Sequence, residues 1–190
     1  MAAPLPFSES ERRLLRVLLK RKVRFMVVGL SAATLQGAPV VTQDVDLWFK
    51  NLGERKMSLA LQEVGAAYVP PSIDNPPMLA GPGADLFDVV VRMDGLGTFA
   101  EEIKNCIEVP LSGLKLKVLS LERILASKLA ANRAKDKLTI PVLRDALAAA
   151  QAVKRRSKKK RDHQRRRATV SMIHRARARR RTELRPGQGG

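Results

Sequence analysis

Phe25–Phe49 reads FMVVGLSAATLQGAPVVTQDVDLWF, and the order of its parts decides the fold. Val23 to Val28 is a short apolar run suited to a buried strand, and Gly29 punctuates it. Ser31 to Gln36 reads as a brief helix, after which Gly37-Ala38-Pro39 turns the chain into a strand carrying Asp44 and Asp46. Side chains alternate along a strand, so Asp44 and Asp46 share one face while Val45 and Leu47 take the other. Two carboxylates on one face of an apolar strand repel each other and lose hydration unless positive charge balances them. A divalent cation is the usual partner. A strand ending in glycine also lets the N–H groups that follow, at the positive end of the next helix, approach a phosphate closely. Together these features suggest phosphoryl or nucleotidyl transfer. Alone, Asp-x-Asp also fits a turn residue followed by a locally paired one, and Gly29 also fits a plain strand-to-helix turn.

Outward from this stretch, Ser8-x-x-Glu11 is a capping-box pattern, followed by Leu14, Leu15, Val17, Leu18 and Leu19 on helical spacing. Asn51 to Val64 reads as a helix closed by Gly65. Residues 70–84, with Pro70-Pro71 and Pro76-Pro77, read as a loop that could border an active-site opening. Leu86 to Arg92 is a further strand carrying Asp88, with Asp85 facing the other way by parity. Thr98 to Lys104 is a helical turn, and Cys106 to Val109 with Leu114 to Val118 a hairpin. Ser120 caps a helix through about Ala134, and Thr139, with Pro141 in the first turn, starts another that runs to about Val153. Strands alternating with helices argue for an α/β or α+β domain, a mixed sheet flanked by helices with a helical C-terminal portion.

The chain of 190 residues holds 36 Lys and Arg against 18 acids, a net charge of +18. Between Lys154 and Arg185 stand 16 of the cations and only two acids, Asp162 and Glu183, so +14 belongs to that segment and +4 to the rest. The boundary is drawn at residues 1–153 and 154–190. The basic segment buries too little apolar surface to offset its ordering entropy, so it is expected to be disordered or to fold only on a partner. Arg155, Arg156, Lys158, Lys159, Lys160, Arg165, Arg166 and Arg167 suit the phosphates of RNA or DNA. No aromatic residue follows Phe99, so base stacking is unavailable there. Cys106 is the only cysteine, and both histidines, His163 and His174, lie in the basic segment. This argues against a structural zinc site and excludes Ser-His or Cys-His nucleophilic pairs in the body. Any metal must be held by oxygen, which points to Mg²⁺ or Mn²⁺. No apolar run approaches the roughly 20 residues that span a membrane, and a single cysteine fits a cytoplasmic location.

The sequence resembles the nucleotidyltransferase superfamily of DNA polymerase β, whose signature is a hydrophobic residue and Gly-[Gly/Ser], a spacer, then Asp-h-[Asp/Glu]. Val28-Gly29 and Thr42-Gln43-Asp44-Val45-Asp46-Leu47 carry the match. It continues through Phe87-Asp88-Val89-Val90, through Val118-Leu119-Ser120-Leu121-Glu122, and from Lys128 to Asp136, covering about residues 10 to 150. The small bacterial members, AbiEii-type and MNT-like, are the most similar. The resemblance implies transfer of a nucleoside monophosphate from an NTP to a hydroxyl acceptor on RNA, such as tRNA, or on a protein. Asp44, Asp46 and Asp88 would be the catalytic, metal-holding carboxylates, and Gly29, Ser31 and Lys128 would touch the nucleotide. It also implies a toxin–antitoxin or phage-defence setting with a cognate partner protein. The chain departs from the pattern at Leu30, which stands in the second position of the glycine turn, and at Val40 and Thr139, where Arg and Asp are usual. A second reading follows from Leu30: a domain that keeps the fold without transfer and binds nucleic acid or a protein partner through its basic segment.

Overall fold

The computed structural model describes residues 7–183, excepting the side chains of 158, 160, 162, 163 and those from 165 onward. These residues form two units that divide between Leu147 and Ala148.

In the first unit, helix α1 (Glu9–Lys20) starts on the expected capping box. The Ser8 N–H donates to the Glu11 carboxylate at 2.6 Å and the Glu11 N–H to Ser8 Oγ at 3.3 Å, satisfying N–H groups that the first turn leaves open. Leu14, Leu15 and Leu18 are fully buried on its inner face. Helix α3 (Arg55–Val64) packs against it through Met57, Ala60, Leu61 and Val64, spaced three and four apart as one helical stripe demands.

The sheet has seven strands, in the spatial order β3 (Ala67–Val69), β4 (Met78–Ala80), β5 (Phe87–Val90), β2 (Val45–Phe49), β1 (Phe25–Val27), β7 (Leu114–Leu119) and β6 (Cys106–Leu111). Strand β1 (Phe25–Val27) lies antiparallel to β2 (Val45–Phe49) and parallel to β7 (Leu114–Leu119). On its other side β2 runs parallel to β5 (Phe87–Val90), in a register that sets Asp46 opposite Asp88. Strand β6 (Cys106–Leu111) forms the expected hairpin with β7. Helix α2 (Gly29–Leu35) packs against α5 (Leu121–Ala131). Gln36, just past α2, fixes that contact. Its amide nitrogen donates to Leu119 O at 2.8 Å, and its amide oxygen accepts the Leu121 N–H at 3.2 Å. Ser120 occupies the N-cap position of α5, but its side chain makes no cap bond, so Gln36 serves the open N–H from across the fold.

Three expectations are corrected. Residues 70–84 are not all loop: Met78–Ala80 is strand β4, pairing with β3 (Ala67–Val69) and meeting β5 at Asp88. The proline pairs precede this three-residue strand and hide its short apolar pattern. Helix α3 begins at Arg55, after Glu54, rather than at Asn51. Helix α6 (Ala134–Glu183) begins before Thr139, so Pro141 lies inside it and not in its first turn. The break between α5 and α6 is made by Asn132, which takes the left-handed conformation at φ 48°, one that Asn tolerates better than most residues. The second unit, from Ala148, continues as helix to Glu183, over a segment expected to be disordered or to fold only on a partner. Ala, Arg, Lys and Gln are strong helix formers, a local preference that an argument from missing apolar surface leaves out. Short helix α4 (Phe99–Glu102) and a 3₁₀ turn (Ile103–Asn105) precede β6.

Candidate active site

The parallel pairing of β2 and β5 does for three carboxylates what sequence separation hides. Asp44 directly precedes β2, Asp46 is its second residue, and Asp88 is the second residue of β5, directly opposite Asp46. All three line a cleft of about 440 Å³, whose other walls carry Gly29, Leu30, Arg92, Asp94, Lys128, Arg133, Lys135 and Asp136. No residue of 70–84 is among its lining, although Met78 of β4 pairs with Asp88 at its edge. The two donor strands are central in the sheet, which gives the carboxylates a rigid base.

Gly29 is explained by Asp46. Its φ of +62° is one that L side chains rarely adopt, and a Cβ there would fall 1.9 Å from Asp46 Oδ2. The Asp46 carboxylate therefore lies against the bare Cα of Gly29. The Val28 N–H donates to Asp46 O at 2.9 Å, extending the β1–β2 ladder up to this contact.

Ser31 has a different task from the one the resemblance implies. It is fully buried, its hydroxyl donates to Val28 O at 2.9 Å, and the same oxygen accepts the Asp46 N–H at 3.2 Å. The hydroxyl staples the glycine turn to β2 and does not line the cleft. Leu30 does line it, half-buried.

Lys128 lines the cleft from α5, held by an ion pair. Its Nζ donates to Asp136 Oδ1 at 2.7 Å, and Asp136 is completely buried. Arg133 Nε donates to the other oxygen of Asp136 at 3.1 Å, and Arg133 Nη2 reaches Asp94 at 3.0 Å. Burial alone would raise the Asp136 pKa, but the hydrogen bond and charge of Lys128, joined by Arg133, bring it below the usual carboxylate value. This network links α5, the Asn132 elbow, α6 and the segment after β5. No sequence pattern marks Asp94. The Arg133–Asp136 pair at helical i, i+3 spacing is legible in sequence, whereas the Lys128–Asp136 pair crosses a helix break and is not.

Asp46 behaves oppositely. Burial first, then the charges of Asp88 and Asp44, push its pKa up to about 6, with Lys128 and Lys135 pulling against them. Asp88 is raised too, by partial desolvation and by Asp44. The three carboxylates form an oxygen-only donor set with a surplus of negative charge, the kind that suits a hard divalent cation. Among the described residues no three His, Cys, Asp or Glu side chains are already drawn into a closed ligand group. Trp48 is buried, its Nε1–H donating to Val91 O at 3.1 Å, so it is core and not a stacking platform.

Of the basic residues beyond 153, Arg155, Arg156 and Lys159 are exposed on α6. The side chains of Lys158, Lys160, Arg165, Arg166 and Arg167 lie outside the described residues. Among the described residues no helix is long and apolar enough to cross a membrane.

Family models and curated proteins give no sequence match to this chain. Solved structures do. A crystal structure of ANT(2")-Ia in complex with adenylyl-2"-tobramycin is similar at a TM-score of 0.50 and 16% identity, over 74% of this chain and 88% of that one. A solution structure of the same antibiotic-resistance factor gives 0.50 and 16%, over 87% and 95%. A candidate nucleotidyltransferase from Thermotoga maritima gives 0.49 and 22%, over 73% and 90%. Sheet order, paired carboxylate strands and this likeness agree: the body of the chain has the nucleotidyltransferase fold.

Proposed function

We propose that the chain transfers a nucleoside monophosphate from a nucleoside triphosphate to a hydroxyl, with Asp44, Asp46 and Asp88 holding Mg²⁺ or Mn²⁺. The observation that carries this reading is Asp46: a partly buried carboxylate set against the bare Cα of Gly29, opposite Asp88, its pKa raised to about 6. A protein that only needed a stable strand would place a neutral residue there. A divalent cation bound there would acidify the acceptor hydroxyl and neutralise charge on the triphosphate and the departing pyrophosphate. The acceptor oxygen bonds to the α-phosphorus, the bond from that phosphorus to the β-phosphate bridge breaks, and the hydroxyl proton leaves to a cleft base. Gly29 leaves room for Asp46, Ser31 pins Asp46 through its N–H, and Asp136 holds Lys128 fixed at the cleft wall.

The acceptor that the basic second unit favours is RNA, tRNA being the first to test. Arg155, Arg156 and Lys159 are exposed and join a segment of net charge +14, which supplies phosphate affinity without base reading. The printed description of ANT(2")-Ia, an adenylylated aminoglycoside in its crystal, makes a small-molecule hydroxyl the second arm. A protein hydroxyl, within a toxin–antitoxin or phage-defence pair, is the third. Purified protein is incubated with Mg²⁺, each α-labelled NTP, and tRNA, cell proteins or an aminoglycoside. Label moved to one acceptor and lost in Asp44→Asn supports the proposal and names the acceptor class. No transfer from any NTP, with tight salt-sensitive RNA binding, supports instead the inactive binding module that Leu30 in the cleft wall favours.

A further inference from the structure

The cleft contains more charge than the three carboxylates use, and sorting it assigns a phosphate contact. Lys128 and Arg133 are taken up by Asp136 and Asp94 in the four-residue network described above. Two cations remain, Arg92 and Lys135, which line the cleft and make no ion pair among the described residues. We infer that Lys135, rather than Lys128, is the side chain that takes the terminal phosphates of the triphosphate. The inference rests on the proposed reading of the cleft and sharpens it to a residue.

The physical case is one of cost. The Lys128 ammonium donates at 2.7 Å to a carboxylate with no exposed surface. Moving it away would leave a buried charge with half its partners, the most expensive way to lose an ion pair. Lys128 therefore contributes fixed positive potential. Lys135 is exposed, stands in the first turn of α6 and has a long flexible stem, so it can follow a ligand without breaking anything. It lines the same cleft as Asp44, Asp46 and Asp88. Arg92 follows β5, four residues past Asp88, and also lines the neighbouring hollow beside Trp48 and Phe99. Of these two cations, Lys135 is the one that lines the carboxylate cleft and not the neighbouring hollow.

The test uses the full chain with Mg²⁺ and inorganic tripolyphosphate, so that neither base identity nor acceptor enters. Binding is measured by calorimetry at salt high enough to suppress non-specific attraction to the basic helix. The same titration of Asp46→Asn defines the part that belongs to the cleft. Lys135→Ala is expected to weaken that part about tenfold or more, the worth of one charged contact to phosphate, with an unchanged thermal midpoint. Lys135→Arg should keep it within about threefold. Wild-type affinity in Lys135→Ala overturns the assignment while leaving the cleft's reading intact, and loss in both variants overturns the role of charge. If wild type shows no Asp46-dependent binding, the reading of the cleft falls together with the inference.

Discussion

Asp46 sets a conflict between stability and chemistry that can be measured. Its carboxyl takes a proton near pH 6 in the folded chain, against 3.8 for the unconstrained group. Between those values the folded state holds more protons, so stability falls as pH rises across the window, and at neutral pH ionised Asp46 is a burden. Asp46→Asn is therefore expected to raise stability by about 1–3 kcal/mol at pH 7.5 without divalent cation, a few degrees in melting temperature, while abolishing transfer. Added Mg²⁺ should raise the wild-type melting temperature and leave that of Asp46→Asn unmoved, and its apparent affinity should weaken as pH drops through about 6. A lower melting temperature for the variant, measured by calorimetry, would contradict the electrostatic account. Gly29 couples to the same atom. Gly29→Ala meets both an unfavourable φ and the Asp46 carboxylate, and about 2–4 kcal/mol of destabilisation is expected. Because most of the clash is with the carboxylate, the penalty should shrink by more than about 1 kcal/mol when measured in an Asp46→Ala background. The alternation of Asp44 and Asp46, and the glycine before them, are legible in sequence because strand parity is local. The adjacency of Asp46 and Asp88 depends on the pairing of β2 with β5, and Ser31 is engaged by backbone from two separate elements, neither of which a local pattern reveals.

Among the elements, the α5–α6 elbow shows where local reading stops. Helical spacing places Lys128 on an apolar face with Ile124 and Leu125, but cannot carry it past Asn132 to Asp136. The buried pair makes a testable demand on that elbow. Asp136→Asn should cost about 3–5 kcal/mol, since Lys128 and Arg133 lose the buried carboxylate that pairs with both. Asp136 has a lowered pKa, so its contribution is present above the ordinary carboxylate value and fades as pH falls below it; wild type and variant should converge in acid. Chemical denaturation at pH 7 and near pH 3 measures both. Proline is at home in a helix's first turn, which is where sequence alone puts Pro141, yet α6 begins at Ala134 and places it inside. There it offers no N–H to the carbonyl four residues earlier. Pro141→Ala is expected to stabilise the chain by about 1–3 kcal/mol, and an unchanged melting temperature would show that the helix has already absorbed the defect. Strand β4 is hidden from the sequence because three residues after two proline pairs are too short a window for periodicity.

At the scale of the whole molecule the charge divides as the chemistry does. The first unit supplies the cleft, and the segment from Lys154 to Arg185 supplies +14 of the net +18. The uneven division is legible from composition alone, because charge counts need no fold. The helix over residues 154–183 is not, since an argument from burial overlooks propensity. A chain ending at Val153 retains the whole first unit, whose limit is Leu147, and so should keep the cleft's Mg²⁺-dependent tripolyphosphate binding. Its affinity for tRNA should fall by about a hundredfold or more near 0.1 M salt, because each cation that neutralises a phosphate releases a bound counterion. The slope of log affinity against log salt should flatten in the same variant, by roughly 0.7 for each phosphate of single-stranded RNA that is no longer neutralised. Asp44→Asn in the full chain should do the reverse, abolishing transfer with the RNA affinity and its salt slope unchanged. Filter binding across a salt series, run beside the transfer assay, separates the two units. If the shortened chain holds tRNA as tightly and with as steep a slope as the full one, the phosphate-binding cations lie on the body, and the basic helix has another role.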